Sequence, residues 1–382
     1  MPANETDRVA RGFHLFHCYA AGAVNDLDAI LAADAEIGTA SAFITYGSPE
    51  WAISESCTGF PWPPQPNYRL GCLPWDAQPA WEDYILFLAS RWSAPWGSGR
   101  ARLSGICVWN EWQSLGWSDP SPRLPNRYNG SGPMLTPPQL SLYASMLANL
   151  TVLAGRAAAR ASPADPAMLW LSTDHFLTAP PLKAGDVGHL GLYDLLDAMW
   201  PALWAGFDSG RPGSMPWGIA VHPYDGGDPR ENLTAQGIYT FATLKSTVAA
   251  YQCAKLTSVG GIPPAACWGR PEVMMWASEQ GWPTSKTMTK ALQARNVCLA
   301  HELSVAQGLW AVTHNLFQAA VPSNQGGGGD FSLVDEPPLV NITLENGPGH
   351  ATFDAYAATH PDVFGLTSDN YCCVQWKVGC AV

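Results

Sequence analysis

Short, wholly apolar runs alternate along the chain with longer segments whose apolar positions recur at helical spacing, the patterns of buried strands and amphipathic helices. Gly12 to Tyr19, Ala42 to Tyr46, Leu103 to Trp109, Ala167 to Ser172, Gly218 to Val221, Val273 to Ala277 and Leu309 to Val312 read as strands. Asn25 to Ile37, Trp81 to Trp92, Pro137 to Arg160, Leu190 to Trp204, Tyr239 to Leu256 and Lys286 to Gln307 read as helices, with a last helical piece near Phe353 to Ala358. The clearest helix start is at Pro137, with Thr136 as N-cap and proline at the first helical position, where its missing N–H loses no bond.

Strands alternating with helices over the whole length predict an α/β protein whose parallel sheet is covered on both faces. Seven strands are recognisable, against the eight of a closed barrel. The predicted architecture is a single (β/α)8 TIM barrel domain over residues 1–382, with one strand short or unrecognised near the N-terminus. No linker or internal repeat divides the chain. A doubly wound open sheet is the alternative, but no Gly-x-Gly-x-x-Gly follows the first strand and no phosphate loop appears. Two strand-to-helix loops are long, Gly47 to Pro79 and Trp112 to Pro138; the first holds seven prolines and three tryptophans. Loops of this length in a compact domain are usually functional.

Composition narrows the class. With 47% hydrophobic residues among 382 the chain can fill a large core, while 14% charged residues and a net charge of -12 exclude a basic face for nucleic acid or anionic membrane. No apolar run is long enough to cross a bilayer. Met1 to Asp7 is polar and is not a signal peptide. Five Asn-x-Ser/Thr sequons, at Asn4, Asn129, Asn149, Asn232 and Asn341, nevertheless indicate a glycosylated secretory chain. The ten cysteines agree: Cys57 with Cys72 and Cys253 with Cys267 each bracket a Pro/Gly-rich loop that a disulfide would staple, and Cys372, Cys373 and Cys380 crowd the C-terminus. A secreted or luminal protein whose leader has been removed, or is left out of this sequence, is expected.

Sites in (β/α)8 barrels lie at the C-terminal ends of the strands. In order, those ends are Tyr46, Asn110-Glu111, Asp174-His175, His222-Pro223-Tyr224, Glu279-Gln280 and His314-Asn315. Two carboxylates, aromatics and neutral hydrogen-bonding groups, with no cluster of Lys or Arg, suit glycosidic bond cleavage. That reaction needs one protonated carboxyl on the leaving oxygen and one carboxylate facing the anomeric carbon.

Asn110-Glu111 at the end of the fourth barrel strand and Glu279 at the end of the seventh resemble the clan A glycoside hydrolases, which are retaining (β/α)8 enzymes. The resemblance implies Glu111 as acid/base and Glu279 as nucleophile. His222-Pro223-Tyr224 is similar to the sixth strand of clan members, which implies that Tyr224 hydrogen-bonds the nucleophile. Ser278-Glu279-Gln280-Gly281-Trp282-Pro283-Thr284 resembles the nucleophile motif of plant-type endo-β-1,3-glucanases, with Gln280 where Ser or Thr is usual there.

The roles expected are then definite. Glu111 delivers a proton and later removes one from water, Glu279 attacks to form a glycosyl-enzyme, and Asn110 donates to the sugar 2-hydroxyl. Trp282, Trp112 and Trp310 are stacking platforms or core, and His222, Asp174, His175 and Tyr46 line the substrate. Asp225 and Asp228 shape a turn. His14 and His17 find no third ligand with suitable spacing, so neither a metal nor a cofactor is expected. The partner is an oligo- or polysaccharide, while sugar, linkage and oligomeric state stay open. A transglycosylase on the same scaffold and a non-catalytic carbohydrate-binding barrel are the alternatives.

Overall fold

The computed structural model describes residues 16–19, 23–36, 41–45, 50–53, 72–95, 100–113, 135–173, 190–206, 217–224, 274–282, 289–309 and 311–314, with a few isolated positions besides. The architecture is α/β, with the strand–helix repeat of a (β/α)8 barrel. The chain divides into two compact units, Met1–Ile219 and Ala220–Val382.

In the first unit, β1 (Phe16–Tyr19) and β2 (Ala23–Asp26) form an antiparallel hairpin, with Phe16 opposite Asp26 and Tyr19 opposite Ala23. This corrects the expectation of a first parallel strand over Gly12 to Tyr19. Three residues separate the two strands, whereas a parallel crossover needs a dozen or more. Because Asn25 and Asp26 end β2, the helix expected from Asn25 starts later, as α1 (Leu27–Glu36).

The parallel sheet of this unit runs β3 (Ala42–Thr45), β4 (Gly105–Val108), β5 (Met168–Thr173), in register so that Thr45, Val108 and Leu171 stand level. All four residues of β4 are buried. At its first position only glycine fits, since a β-carbon on Gly105 would lie 2.8 Å from the Trp170 indole nitrogen. Three helices accompany these strands: α2 (Gln78–Arg91), α3 (Pro137–Ala161) and α4 (Leu192–Gly206). α2 packs on α3 and α3 on α4; the Trp81 indole N–H donates to the Leu150 carbonyl across the first contact at 3.0 Å. The start of α3 is as expected, the Gln139 side-chain oxygen accepting from the Thr136 N–H at 2.8 Å. Asp28 of α1 ties the unit's edge, pairing with Arg91 and accepting from the Trp92 indole at 2.8 Å.

β6 (Trp217–Val221) carries the division between the units. In the second unit, β7 (Met275–Gln280) pairs in parallel with β8 (Ala311–His314), and α5 (Lys290–Ala306) lies between them in sequence. The Ser278 hydroxyl donates to the Val221 carbonyl at 3.4 Å, linking β7 to the end of β6. Most of the helix expected at Tyr239 to Leu256, and all of the piece near Phe353 to Ala358, lie outside the described residues. Among the described residues no helix is long and apolar enough to cross a membrane.

Candidate functional site

The β4 exit, in the first unit, presents Glu111. Immediately after the buried strand, Trp109 and Glu111 both adopt left-handed backbone, with φ of 64° and 41°. Such a conformation costs a residue bearing a β-carbon of order 1–3 kcal/mol and persists only where surrounding groups hold it. The holding groups are present. The Trp109 N–H donates to the Thr45 hydroxyl at 3.1 Å, and that hydroxyl donates to the Cys107 carbonyl at 2.7 Å. On the other flank the Glu111 N–H donates to the Ser172 hydroxyl at 2.9 Å, and the Trp112 N–H to the Ser172 carbonyl at 3.0 Å.

Trp112 closes this turn from below. Its ring is fully buried, its indole N–H bonds the Val108 carbonyl, and its own carbonyl accepts from the Tyr143 hydroxyl at 2.8 Å. Gln113 exchanges two bonds with Leu190, N–H to carbonyl at 2.8 Å and side-chain amide to carbonyl at 2.9 Å. Asn110 and Glu111 are left half-buried at the top.

The β7 exit, in the second unit, presents Glu279 differently. Glu279 lies within the strand rather than after it, because β7 extends to Gln280 instead of ending at Ala277. Between Ala277 and Gln280 the strand spends three residues against two on β8, from Val312 to His314. A bulge of this kind re-aims a side chain. Met275 to Ser278 and Gln280 are buried, while Glu279 alone in the strand is partly exposed.

Its carboxylate is gripped by the segment that follows β6. The Tyr224 hydroxyl donates to Glu279 Oε2 at 2.8 Å, and His222 Nε2 stands 3.6 Å from Oε1. His222 is fully buried and Tyr224 half-buried, with their rings edge to face. A hydroxyl donor stabilises negative charge on the oxygen that it meets. Asp228, expected only to shape a turn, pairs with Arg295 of α5 at 2.8 Å and so fixes the chain beyond Tyr224. Among the described residues, no Lys or Arg is paired with Glu279.

Of the two readings open for the candidate platforms, Trp112 and Trp282 take the core one. Trp112 is 0% and Trp282 1% exposed, so neither offers a ring face to a sugar and both are core side chains. The Trp282 carbonyl is held by the Gln293 amide at 2.8 Å. Tyr46, Asp174, His175 and Trp310 lie outside the described residues.

Three residues escaped the sequence reading: Thr45, Ser172 and Trp51. Trp51 is 50% exposed on a short 3-10 turn, Glu50–Ala52, in the loop after β3. The turn is anchored by buried Ala52 and Ile53, the latter packed on Cys72. The available signal was position: Thr45 is the last residue of β3 and Ser172 the last but one of β5, the strands that flank β4, and Trp51 sits early in a loop already singled out.

No family model matches this chain, and no curated protein matches it. Among solved structures, the chain is similar to a family 39 glycoside hydrolase from the gut symbiont Bacteroides cellulosilyticus WH2, at 14% identity and a TM-score of 0.43. That match covers 88% of this chain and 52% of the other, so this chain spans about half the length of that protein. One of two fungal β-1,4-galactanases is 12% identical, covering 86% of this chain and 92% of its own, with a TM-score of 0.40. The GH53 catalytic domain of Ignisphaera aggregans is 14% identical, covering 82% and 85%, with a TM-score of 0.34. The chemistry of the site rests on the chain's own side chains.

Proposed function

We propose that this protein is a retaining β-glycoside hydrolase acting on a β-linked glucan or a related glycan. The observation that carries the reading is the grip on Glu279, with Tyr224 donating at 2.8 Å to one oxygen and His222 beside the other. A carboxylate at a strand end, met by a phenol donor rather than by a cation, is fixed in direction for attack.

The reaction proceeds in two displacements. Glu279 attacks the anomeric carbon while the bond to the leaving oxygen breaks, and Glu111 transfers its proton to that oxygen. Glu111, now a carboxylate, takes a proton from water as the water oxygen attacks the same carbon, and the ester bond to Glu279 breaks. Retention requires the two carboxyls to face one anomeric carbon about 5–5.5 Å apart. Asn110, next to Glu111, donates to the 2-hydroxyl, and Trp51, 50% exposed in the loop after β3, is the candidate platform.

Secretion belongs to the same proposal. It is supported by the five sequons and by Cys72, Cys253 and Cys298, each disulfide-bonded, a chemistry of oxidising compartments. Cys57 and Cys267, the expected partners of the first two, lie outside the described residues.

The test is hydrolysis of aryl β-glycosides and β-glucan oligosaccharides by wild type, Glu111→Ala and Glu279→Ala. Both variants are expected to lose at least about a thousandfold in activity. Azide should rescue Glu279→Ala with an α-glycosyl azide and Glu111→Ala with a β-glycosyl azide. Full activity in either variant would overturn the assignment.

A further inference from the structure

The β4 exit combines a costly backbone with an unusual pair of supports. Trp109 and Glu111 are both left-handed without being glycine, and each has its amide N–H bonded to a hydroxyl from a neighbouring strand rather than to a carbonyl of the sheet. Thr45 comes from the end of β3 and Ser172 from β5. The registers place them on opposite flanks, Thr45 level with Val108 and Ser172 one residue past Leu171, which is also level with Val108. Both are buried, Thr45 at 4% and Ser172 at 0% exposed.

A buried hydroxyl contributes little to a core except through the bonds that it makes. Thr45 spends its proton on the Cys107 carbonyl and its lone pair on Trp109. Ser172 gives Oγ to the Glu111 amide and its carbonyl to the Trp112 amide. Thr45 therefore fixes the peptide between Val108 and Trp109, and Ser172 fixes the two peptides that flank Glu111. Without them, relaxation of φ at Glu111 towards negative values would swing its Cα–Cβ bond away.

We infer that Thr45 and Ser172 are positioning residues that aim the proton-donating carboxyl of Glu111, an inference that rests on the reading of Glu111 as the acid/base. They touch no reacting atom and act through the backbone. A shift of about 1 Å in a catalytic group costs roughly a hundredfold in rate. The loss falls on proton delivery far more than on nucleophilic attack, because nothing in this clamp holds the nucleophile.

The discriminating experiment compares matched phenyl and 2,4-dinitrophenyl β-glycosides of a sugar that the wild type cleaves, using kcat/KM, which reports the first displacement. Phenolate needs the proton to depart, whereas dinitrophenolate leaves without it. Ser172→Ala and, separately, Thr45→Val are expected to lose about a hundredfold on the phenyl substrate and no more than about threefold on the dinitrophenyl one. Ser172→Thr and Thr45→Ser, which keep the hydroxyl, should retain most of the phenyl activity.

Thermal unfolding of each variant establishes that it is folded at the assay temperature, and the two independent positions ensure that one misfolded variant does not decide the matter. Equal losses on both substrates, or no loss on either, would overturn the positioning role while leaving the hydrolase reading intact. A wild type silent on every aryl β-glycoside would overturn the functional reading, and the positioning role with it.

Discussion

The two carboxylate-bearing strand ends are built on opposite principles. At Glu111 the fixed element is the main chain: two left-handed residues clamped by Thr45 and Ser172, over a buried Trp112 whose carbonyl is itself tied to Tyr143. At Glu279 the fixed element is the carboxylate, turned outward by a bulge and met by the Tyr224 hydroxyl. The difference matches the demands of the two proposed roles. A nucleophile works as an anion, so a donor on its oxygens serves it. An acid/base must take up and release a proton along one line, and what the backbone fixes at Glu111 is the direction of the group.

Breaking each grip separately sharpens this contrast. Tyr224→Phe deletes one hydroxyl at Glu279, and kcat/KM is expected to fall about a hundredfold on phenyl and dinitrophenyl glycosides alike, because Glu279 attacks in the same step in which either group departs. A fall confined to the phenyl substrate would instead tie Tyr224 to proton delivery. Trp51→Ala should leave aryl glycosides unaffected and raise KM for long oligosaccharides about tenfold, an effect of the size of one ring stacked on a sugar; unchanged KM across chain lengths would return Trp51 to the class of exposed bystanders.

Smaller effects concern the scaffold beneath Glu111. Gly105→Ala pushes a methyl towards the Trp170 ring, which has no flexible end to withdraw, so chemical denaturation should show a loss of about 1–3 kcal/mol with kcat unchanged at low temperature. Asp28→Asn weakens a surface pair with Arg91 whose members are 40% and 33% exposed; the expected loss is below about 1 kcal/mol, read as a small drop in Tm.

Much of this was legible from residue order. Strands β3 to β8 and helices α1 to α5 lie within a few residues of the apolar runs that announced them, since buried parallel strands and amphipathic helices leave different spacings. The Asn-Glu and His-x-Tyr motifs pointed to Glu111, Glu279 and Tyr224, and the phenol bond to Glu279 is where those motifs implied it. Three features were not legible. A bulge in β7 depends on its register with β8, which no local pattern encodes. An indole suits a core as well as a sugar platform, so Trp112 and Trp282 read alike with Trp51 until burial separates them. The hairpin of β1 and β2 looked like one strand because Phe16 to Tyr19 has the same apolar character either way, and only the short connection to Ala23 decides its pairing.

The central claim is that Glu279 forms the covalent bond. It is tested most directly by treating the protein with a 2,4-dinitrophenyl 2-deoxy-2-fluoro-β-glycoside, digesting it, and weighing the labelled peptide. The account predicts one equivalent of fluorosugar, esterified to Glu279, with release of one equivalent of dinitrophenolate. A label on any other carboxyl, or turnover of natural substrate with inverted product and no label, would contradict it.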